Sequence, residues 1–478
     1  MNTFKRIAKN SLFQTIALVV RAVSAFFVSI ILARVAGAEL LGDYAAVITL
    51  LGLFAFISGY GLPELLTREL ARKRDDREQV THIVNVSLTI VVVFSLIAII
   101  LLGLTGKLVM HYPATLVWAV IMGGVALGLE SIANVIAAAF RGAEEMERSS
   151  AVAIVMEVVL FLGIVLVSLL LHPSIIGLLA AYILSRMISL GVAIRLFWVR
   201  FGHLHPVINK KTLLVLLRQG FPFSINDVWS VVYTRVDVVM LSFFSGDIVV
   251  GIYEAATSLS IRVNIIAWTL NLALYPHMSR QYELNEQSVW KNTANSIKVL
   301  LLPGALITTL LWAFGREIIL LLYGQSFLDA VRALQLFALL IPIRLAGNSF
   351  VTAMKASNRQ TKRATAVVIA GIFNVVVNFF VIPRYAMMGA VYSTILTEFL
   401  LLGMSLWYLR DHIAEIINWR DYLAPALGSL AVVVLVLLMN LNFWLLGVLA
   451  VLLYGVIILV IEPSLLVQLR KSLAKSSE

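Results

Sequence analysis

The chain has 478 residues, 61% of them hydrophobic and 13% charged, with a formal net charge of +11. Such apolarity excludes an ordinary soluble domain and indicates a polytopic helical membrane protein. The positive excess then reflects cytoplasmic loops biased toward Lys and Arg, with no nucleic acid partner implied, and the absence of cysteine excludes a disulfide framework or a thiolate metal site.

The opening MNTFKRIAKN runs into a long apolar segment without an A-x-A cleavage site, so an uncleaved first span is expected. Fourteen apolar spans are predicted, near residues 12–36, 41–62, 81–104, 114–139, 150–171, 175–198, 220–244, 248–275, 294–314, 331–354, 365–382, 386–409, 422–440 and 442–462. Each holds about 20 residues, enough to cross a hydrocarbon core of about 30 Å. One set of loops carries the cations: Lys5, Arg6 and Lys9, then Arg68 to Arg77, Arg141 and Arg148, Arg200 to Arg218, Arg280 and Lys291, Lys355 to Arg363, Arg410 and Arg420, and Arg470 to Lys475. The other set has little beyond Arg34, Lys107, Arg316 and Arg384. The positive-inside rule puts both termini in the cytoplasm, as an even number of spans requires.

The densest charge at membrane depth lies between Gly220 and Pro276. There two apolar segments flank Ser245-Gly246-Asp247 and carry Asp227, Arg235, Asp237, Glu254 and Arg262. A charge at mid-bilayer costs about 2.5 to 3.5 kcal/mol on insertion scales, so these groups face a partner, a cavity or a substrate. The stretch is either a transport pathway or a buried ion-pair knot. Arg262 follows Glu254 by eight residues, about 80° around the helix and roughly 12 Å along it, so the two are not expected to bridge.

An internal repeat organises the chain. Gly37-Ala-Glu-Leu-Leu-Gly42-Asp-Tyr44 recurs as Gly246-Asp-Ile-Val-Val-Gly251-Ile-Tyr253 at an offset of 209, and Asn134, Ala139 and Arg141 fall on Asn348, Ala353 and Lys355 at an offset of 214. Six spans separate the copies, which therefore share one membrane orientation. Such parallel repeats form two lobes related by an axis along the membrane normal. The expectation is an all-α polytopic membrane protein: an N-lobe at 1–199 (spans 1–6), a basic cytoplasmic connector at 200–219, a C-lobe at 220–410 (spans 7–12), and 411–478 with two extra helices and a cytoplasmic tail.

Two lobes of six spans, the G-x-x-x-x-G-x-Y loop in each, and Gly61-Leu-Pro with Arg68-Glu69 after span 2 resemble the oligosaccharide-lipid flippases. So do Arg235-x-Asp237 with Met240-Leu241 in span 7, and Asn374, Asn378 and Pro383 with Gly389-Ala390. These are O-antigen or polysaccharide-repeat exporters, akin to the lipid II flippases and the multidrug and toxin extrusion transporters. The resemblance implies alternating access, with a polyprenyl-(pyro)phosphate-linked oligosaccharide moved across the cytoplasmic membrane for surface polysaccharide synthesis. It implies membrane lipids and a polysaccharide polymerase or glycosyltransferase as neighbours, and no enzymatic cofactor.

A phosphate-bearing head needs cations, and guanidinium offers bidentate hydrogen bonds to phosphate oxygens. The arginines at membrane depth are Arg21, Arg186, Arg235, Arg262 and Arg344. Arg21 has no acid in its own helix, which favours an anionic substrate. Arg186 is open to a structural bridge with Glu157, and Arg235 to either Asp227 or phosphate. Arg344 sits where the repeat places Glu130, which suggests an ion pair across the lobes. In the lipid II flippases an acid on span 7, an Asn/Asp pair on span 11 and a Thr on span 12 form a sodium site. The resemblance places Asp237, Asn374, Asn378 and Thr394 there, with Asn378 where an acid is expected. Oxygen donors suit Na⁺, and Na⁺ or H⁺ is the candidate coupling ion; interhelical hydrogen bonding is the alternative use of these Asn residues.

No G-x-x-x-x-G-K-[ST] sequence occurs, so ATP is not bound by a P-loop. The seven histidines lie near span ends, and His203-x-His205 reads as a solvated loop pair. Two rivals stay open. A drug or organic-cation antiporter of the same fold would line its cavity with acids and aromatics. A membrane-embedded glycosyltransferase or polymerase would group acids or His in a long external loop.

Overall fold

The computed structural model describes residues 3–73, 76–439 and 441–463. Arg74, Arg470, Lys471 and Lys475 of the topology argument lie outside the described residues. Within them every regular element is helical: α1 (Thr3–Gly59), α2 (Leu62–Ala71), α3 (Arg77–Leu104), α4 (Ala114–Gly142), α5 (Met146–Leu170), α6 (Ile175–Arg200), α7 (Lys210–Ser245), α8 (Asp247–Arg262), α9 (Asn264–Leu284), α10 (Glu286–Ala313), α11 (Gly315–Leu322), α12 (Ala330–Leu339), α13 (Ile341–Ala356), α14 (Gln360–Tyr408), α15 (Ile413–Ile416), α16 (Leu423–Leu438) and α17 (Phe443–Ile461). Hydrocarbon offers no water to backbone N–H and C=O groups, and helices satisfy them within the segment.

Among the described residues eleven helical stretches are long and apolar enough to cross a membrane, or twelve if α12 and α13, bent by 42°, make one span. The number is below fourteen because the two longest stretches, of 51 and 49 residues, each break part-way. At 1.5 Å per residue each is about 75 Å long, twice what one crossing needs. In α1 the break is at Gly37 (φ 77°), and in α14 at Ala386 (φ 46°).

The second break is a reversal. Pro383 brings no N–H to the helix, and its ring crowds the preceding turn. A Cβ on Gly389 would lie 2.7 Å from the Val381 carbonyl, and Asn374 before the break bonds to Ser393 and Thr397 after it. The two halves of α14 therefore run back along each other. Around Gly246 (φ 82°) α7 and α8 do the same.

The chain forms two compact units, Met1–Glu254 with Val375–Ala390, and Ala255–Asn374 with Val391–Glu478. In this division α7 goes with α1 to α6, and it packs along α1, α2 and α3. The core of the first unit sets Leu62, Leu65, Leu66 and Leu70 of α2 against Val84, Val91, Ile136, Phe140 and Phe197. Ser58 joins α1 to α3 and α4 through Ser95 and Ser131, both at 2.8 Å. In the second unit one core gathers Trp290, Ile297, Phe350, Met354 and Leu409, and another Phe314, Val432, Leu446 and Tyr454. The helices outside the repeat are tied to α10: Lys298 reaches Asp421 at 2.9 Å and Glu462 at 2.8 Å, and the Tyr454 hydroxyl donates to the Leu302 carbonyl at 2.7 Å.

The basic connector is only partly a loop, since α7 begins at Lys210 with the Asn209 side chain capping the Thr212 N–H. Its extended part is stitched to α3. Buried Asn85 accepts from the His205 N–H at 3.2 Å, and Thr89 donates to the Val207 carbonyl at 3.0 Å. Asn85→Ala leaves the His205 N–H without this acceptor, a cost of about 1–3 kcal/mol. The expected result is a lower melting temperature in detergent.

Candidate functional site

The charged groups at membrane depth are held in pairs, and the hairpins decide which groups meet. Across the α7–α8 turn, Arg235 Nη1 lies 2.8 Å from Glu254 Oε2, the Tyr253 hydroxyl donates to Asp237, and Ser242 donates to Asp247 at 2.7 Å. All three pairs straddle the turn at nearly equal distances in sequence, as antiparallel helices require. The Asp237 carboxylate also accepts from the Val238 N–H at 2.9 Å. The side-chain partner of Arg235 is thus Glu254, an acid that the sequence reading, which left Asp227 and phosphate open, did not consider for it. That pairing follows once Ser245-Gly246 is read as a hairpin turn. Asp227 is half-buried further up α7, and Arg262 closes α8.

In the first unit Arg186 Nε bonds to Glu130 Oε2 at 3.0 Å, and its guanidinium lies 3.8 Å over the Tyr182 ring. Of the acids on the two helices packed against α6, the hydrogen-bonded partner of Arg186 is Glu130 of α4, and the Glu157 bridge left open by the sequence is not formed as a direct contact. Glu157 instead faces α1: its carboxylate is 3.6 Å from Arg21 Nε, and its carbonyl accepts from Ser24 at 3.3 Å. In the second unit Arg344 Nε bonds to Glu398 Oε1 at 2.8 Å. Glu130 and Arg344, which the repeat sets at matched positions, thus each have a partner within their own unit.

Sequence reading passed over Glu398, although a signal was present. Glu130 and Arg344 are matched at an offset of 214, and Arg186 and Glu398 stand 212 apart. The same strut joins the fourth span to the sixth and the tenth to the twelfth, with its polarity reversed.

Exposure separates the four arginines. Side-chain exposure is 72% for Arg21 and 38% for Arg235, against 5% for Arg186 and 11% for Arg344. Two are sealed struts; Arg21 is exposed and Arg235 partly so, each with a buried glutamate as its partner. Of the residues proposed for a cation, Asp237 and Asn378 belong to the first unit and Asn374 and Thr394 to the second. The Asn374 amide donates to Ser393 at 3.2 Å and Thr397 at 3.0 Å, and both Asn374 and Asn378 are buried. Among the described residues no group of three or more His, Asp or Glu is placed to hold a metal ion.

The model of the polysaccharide biosynthesis protein family matches residues 7–282, more than half of the chain. The chain belongs to this family. It is similar to a putative O-antigen transporter of Shigella dysenteriae, 26% identical over 52% of this chain and 61% of that one. It is also similar to an uncharacterized membrane protein, MJ1068, of Methanocaldococcus jannaschii, 23% identical over 50% of this chain and 47% of that one. The matches thus span about half to three-fifths of these relatives.

Among solved structures, the lipid II flippase MurJ in an inward closed conformation superposes with a TM-score of 0.77 at 15% identity, over 95% of this chain and 99% of that one. An inward-facing multidrug resistance MATE family transporter of the MOP superfamily gives 0.65 at 14% identity, over 83% and 95%. The family member described here thus has the MurJ- and MATE-like fold.

Removing one partner of a sealed pair leaves a buried charge uncompensated, typically a loss of about 3–5 kcal/mol. Glu398→Gln is expected to lower the detergent melting temperature sharply, and the exchanged pair Arg344→Glu with Glu398→Arg to recover most of it. Arg21→Ala also leaves buried Glu157 short of a cation and is expected to lower that temperature, and Arg21→Lys, which keeps the charge, to lower it less.

Proposed function

We propose that this protein is a flippase that carries a polyprenyl-(pyro)phosphate-linked oligosaccharide across the cytoplasmic membrane by alternating access, with both termini in the cytoplasm. The observation that carries the proposal is that Arg21 is exposed and Arg235 partly exposed within apolar spans, while the glutamates paired with them are buried. A guanidinium facing lipid at that depth is costly; one facing a water-filled path can bind phosphate through its planar fork. Glu157 approaches Arg21 at Nε, at 3.6 Å. Family membership and the O-antigen transporter relative support the substrate class. An organic-cation antiporter is less well served, because the acids paired with these arginines are the buried partners and the cations the exposed ones.

Changing both Arg21 and Arg235 to Ala is expected to abolish glycan export at preserved protein levels. Lys at either position should restore it in part, keeping the charge and losing the fork. Normal export by the double Ala variant would overturn the substrate reading.

The proposal includes cation coupling through Asp237, Asn374, Asn378 and Thr394. A cation that stabilises one arrangement more than the other supplies the reset of the empty carrier. Asp237→Asn should slow transport while leaving substrate binding nearly intact. The measurement is counterflow in proteoliposomes, first with Na⁺ replaced by choline at fixed pH and then with a pH gradient alone. Transport indifferent to both ions would reduce Asp237 to the acceptor of the Tyr253 hydrogen bond.

A further inference from the structure

The repeated G-x-x-x-x-G loops meet each other, and the contact has the symmetry of the repeat. Gly42 matches Gly251 and Ala38 matches Asp247 at the offset of 209. A Cβ on Gly42 would fall on the Asp247 carbonyl, and a Cβ on Gly251 would fall on the Ala38 carbonyl. Each contact is the image of the other, so the copies touch as the two halves of an isologous interface do. Both loops lie within the first unit.

The glycines of the motif divide into two roles. Gly37 and Gly246 have φ of 77° and 82°, and a Cβ on either would find no atom within 4 Å. They are required by backbone conformation. Gly42 and Gly251 are required by room, since backbone lies against backbone there. The loop at Asp247 is further held by Ser242, whose hydroxyl shares a 2.8 Å hydrogen bond with Tyr112. The nearest atoms that a Cβ at Gly42 or Gly251 would meet are backbone, so closeness of packing accounts for glycine at both positions. A contact of this closeness is made or lost as a whole, because a radial gap of 0.5–1 Å already forfeits about a quarter to a half of the dispersion well.

We propose that Gly42 and Gly251 form the outer closure of the transport path, a paired backbone contact between the two copies of the repeat that is made in the inward-facing arrangement and parts in the outward-facing one. This rests on the alternating-access reading and on the cytoplasmic placement of the termini. Any side chain at either position wedges the seam, and because the two contacts belong to one seam, the second wedge adds little to the first.

The test uses the full chain, which has no cysteine of its own, with Thr234→Cys as reporter beside Arg235 at an exposed position. An impermeant maleimide is applied outside whole cells and, separately, to inverted vesicles. Gly42→Leu and Gly251→Leu should each raise labelling from outside several-fold, and the double variant should exceed neither by much. Gly403→Leu, where a Cβ meets nothing within 4 Å, is the control and should change nothing. If a Leu variant fails to accumulate, Gly42→Ala carries the same expectation, since one methyl already meets the Asp247 carbonyl.

Labelling in folded Gly42 and Gly251 variants equal to that of Gly403→Leu would overturn the proposal. So would effects of the two substitutions that multiply, or an increase confined to inverted vesicles. The readout needs no substrate: a seam that responds while the double Arg21 and Arg235 variant exports normally would sink the substrate reading and leave the closure standing.

Discussion

An ionised side chain in hydrocarbon has no water to stabilise it, and the architecture of this protein follows from how that constraint is met. Helices bring an opposite charge to each of the four arginines compared above: α4 to α6, α5 to α1, α14 to α13, and α8 to α7 across its turn. The constraint fixes more than charge. A buried pair holds its two helices in one rotational setting, because a turn of either helix would part the ions. The Glu130–Arg186 pair, capped by the Tyr182 ring, thus sets the register of α4 on α6.

The reversed polarity of the two struts tells structural charge from functional charge. Glu130 with Arg186 and Arg344 with Glu398 occupy matched places with opposite sign. A strut needs neutrality and reach, and either order of acid and base supplies both. A group that recognises a phosphate has no such freedom, since only a cation serves. Arg21 and Arg235 fit the second description: they are cations on the exposed side of their pairs, and the acid lies behind in both.

Much of this was legible in the sequence. Apolar length gave the spans, the Gly-x-x-x-x-Gly loops gave the repeat, and the mid-span charges marked where pairs would form. The breaks in the two longest helices were too, since the spans 12–36 and 41–62, and 365–382 and 386–409, divide where α1 breaks at Gly37 and α14 at Ala386. Two things were not legible. The sequence did not show that each of these pairs of spans stays one nearly continuous helical run. Partner choice was also hidden, because it depends on which helices pack together, and spacing along one helix says nothing of that. Glu254 was recoverable from hairpin geometry about Gly246. Glu398 was recoverable only by allowing the repeat a two-residue slip, from 214 to 212. The assignment of α7 to the first unit was beyond both, since it comes from packing along α1, α2 and α3.

The buried glutamates also bear on the energetics of the proposed cycle. Moving an anionic head outward is aided by an inside-negative potential, by about 2.3 kcal/mol per charge per 100 mV. An empty carrier with bare arginines at membrane depth would lose part of that gain, because it would return with uncompensated positive charge. Glu157 at 3.6 Å from Arg21 and Glu254 at 2.8 Å from Arg235 remove the difficulty. In the proposed cycle a bound phosphate would share the guanidinium with the glutamate, and on its departure the glutamate would neutralise the arginine again. The loaded carrier would then move the charge of the substrate and the empty one none, so that in this proposal the arginine selects the anion and the glutamate permits the return.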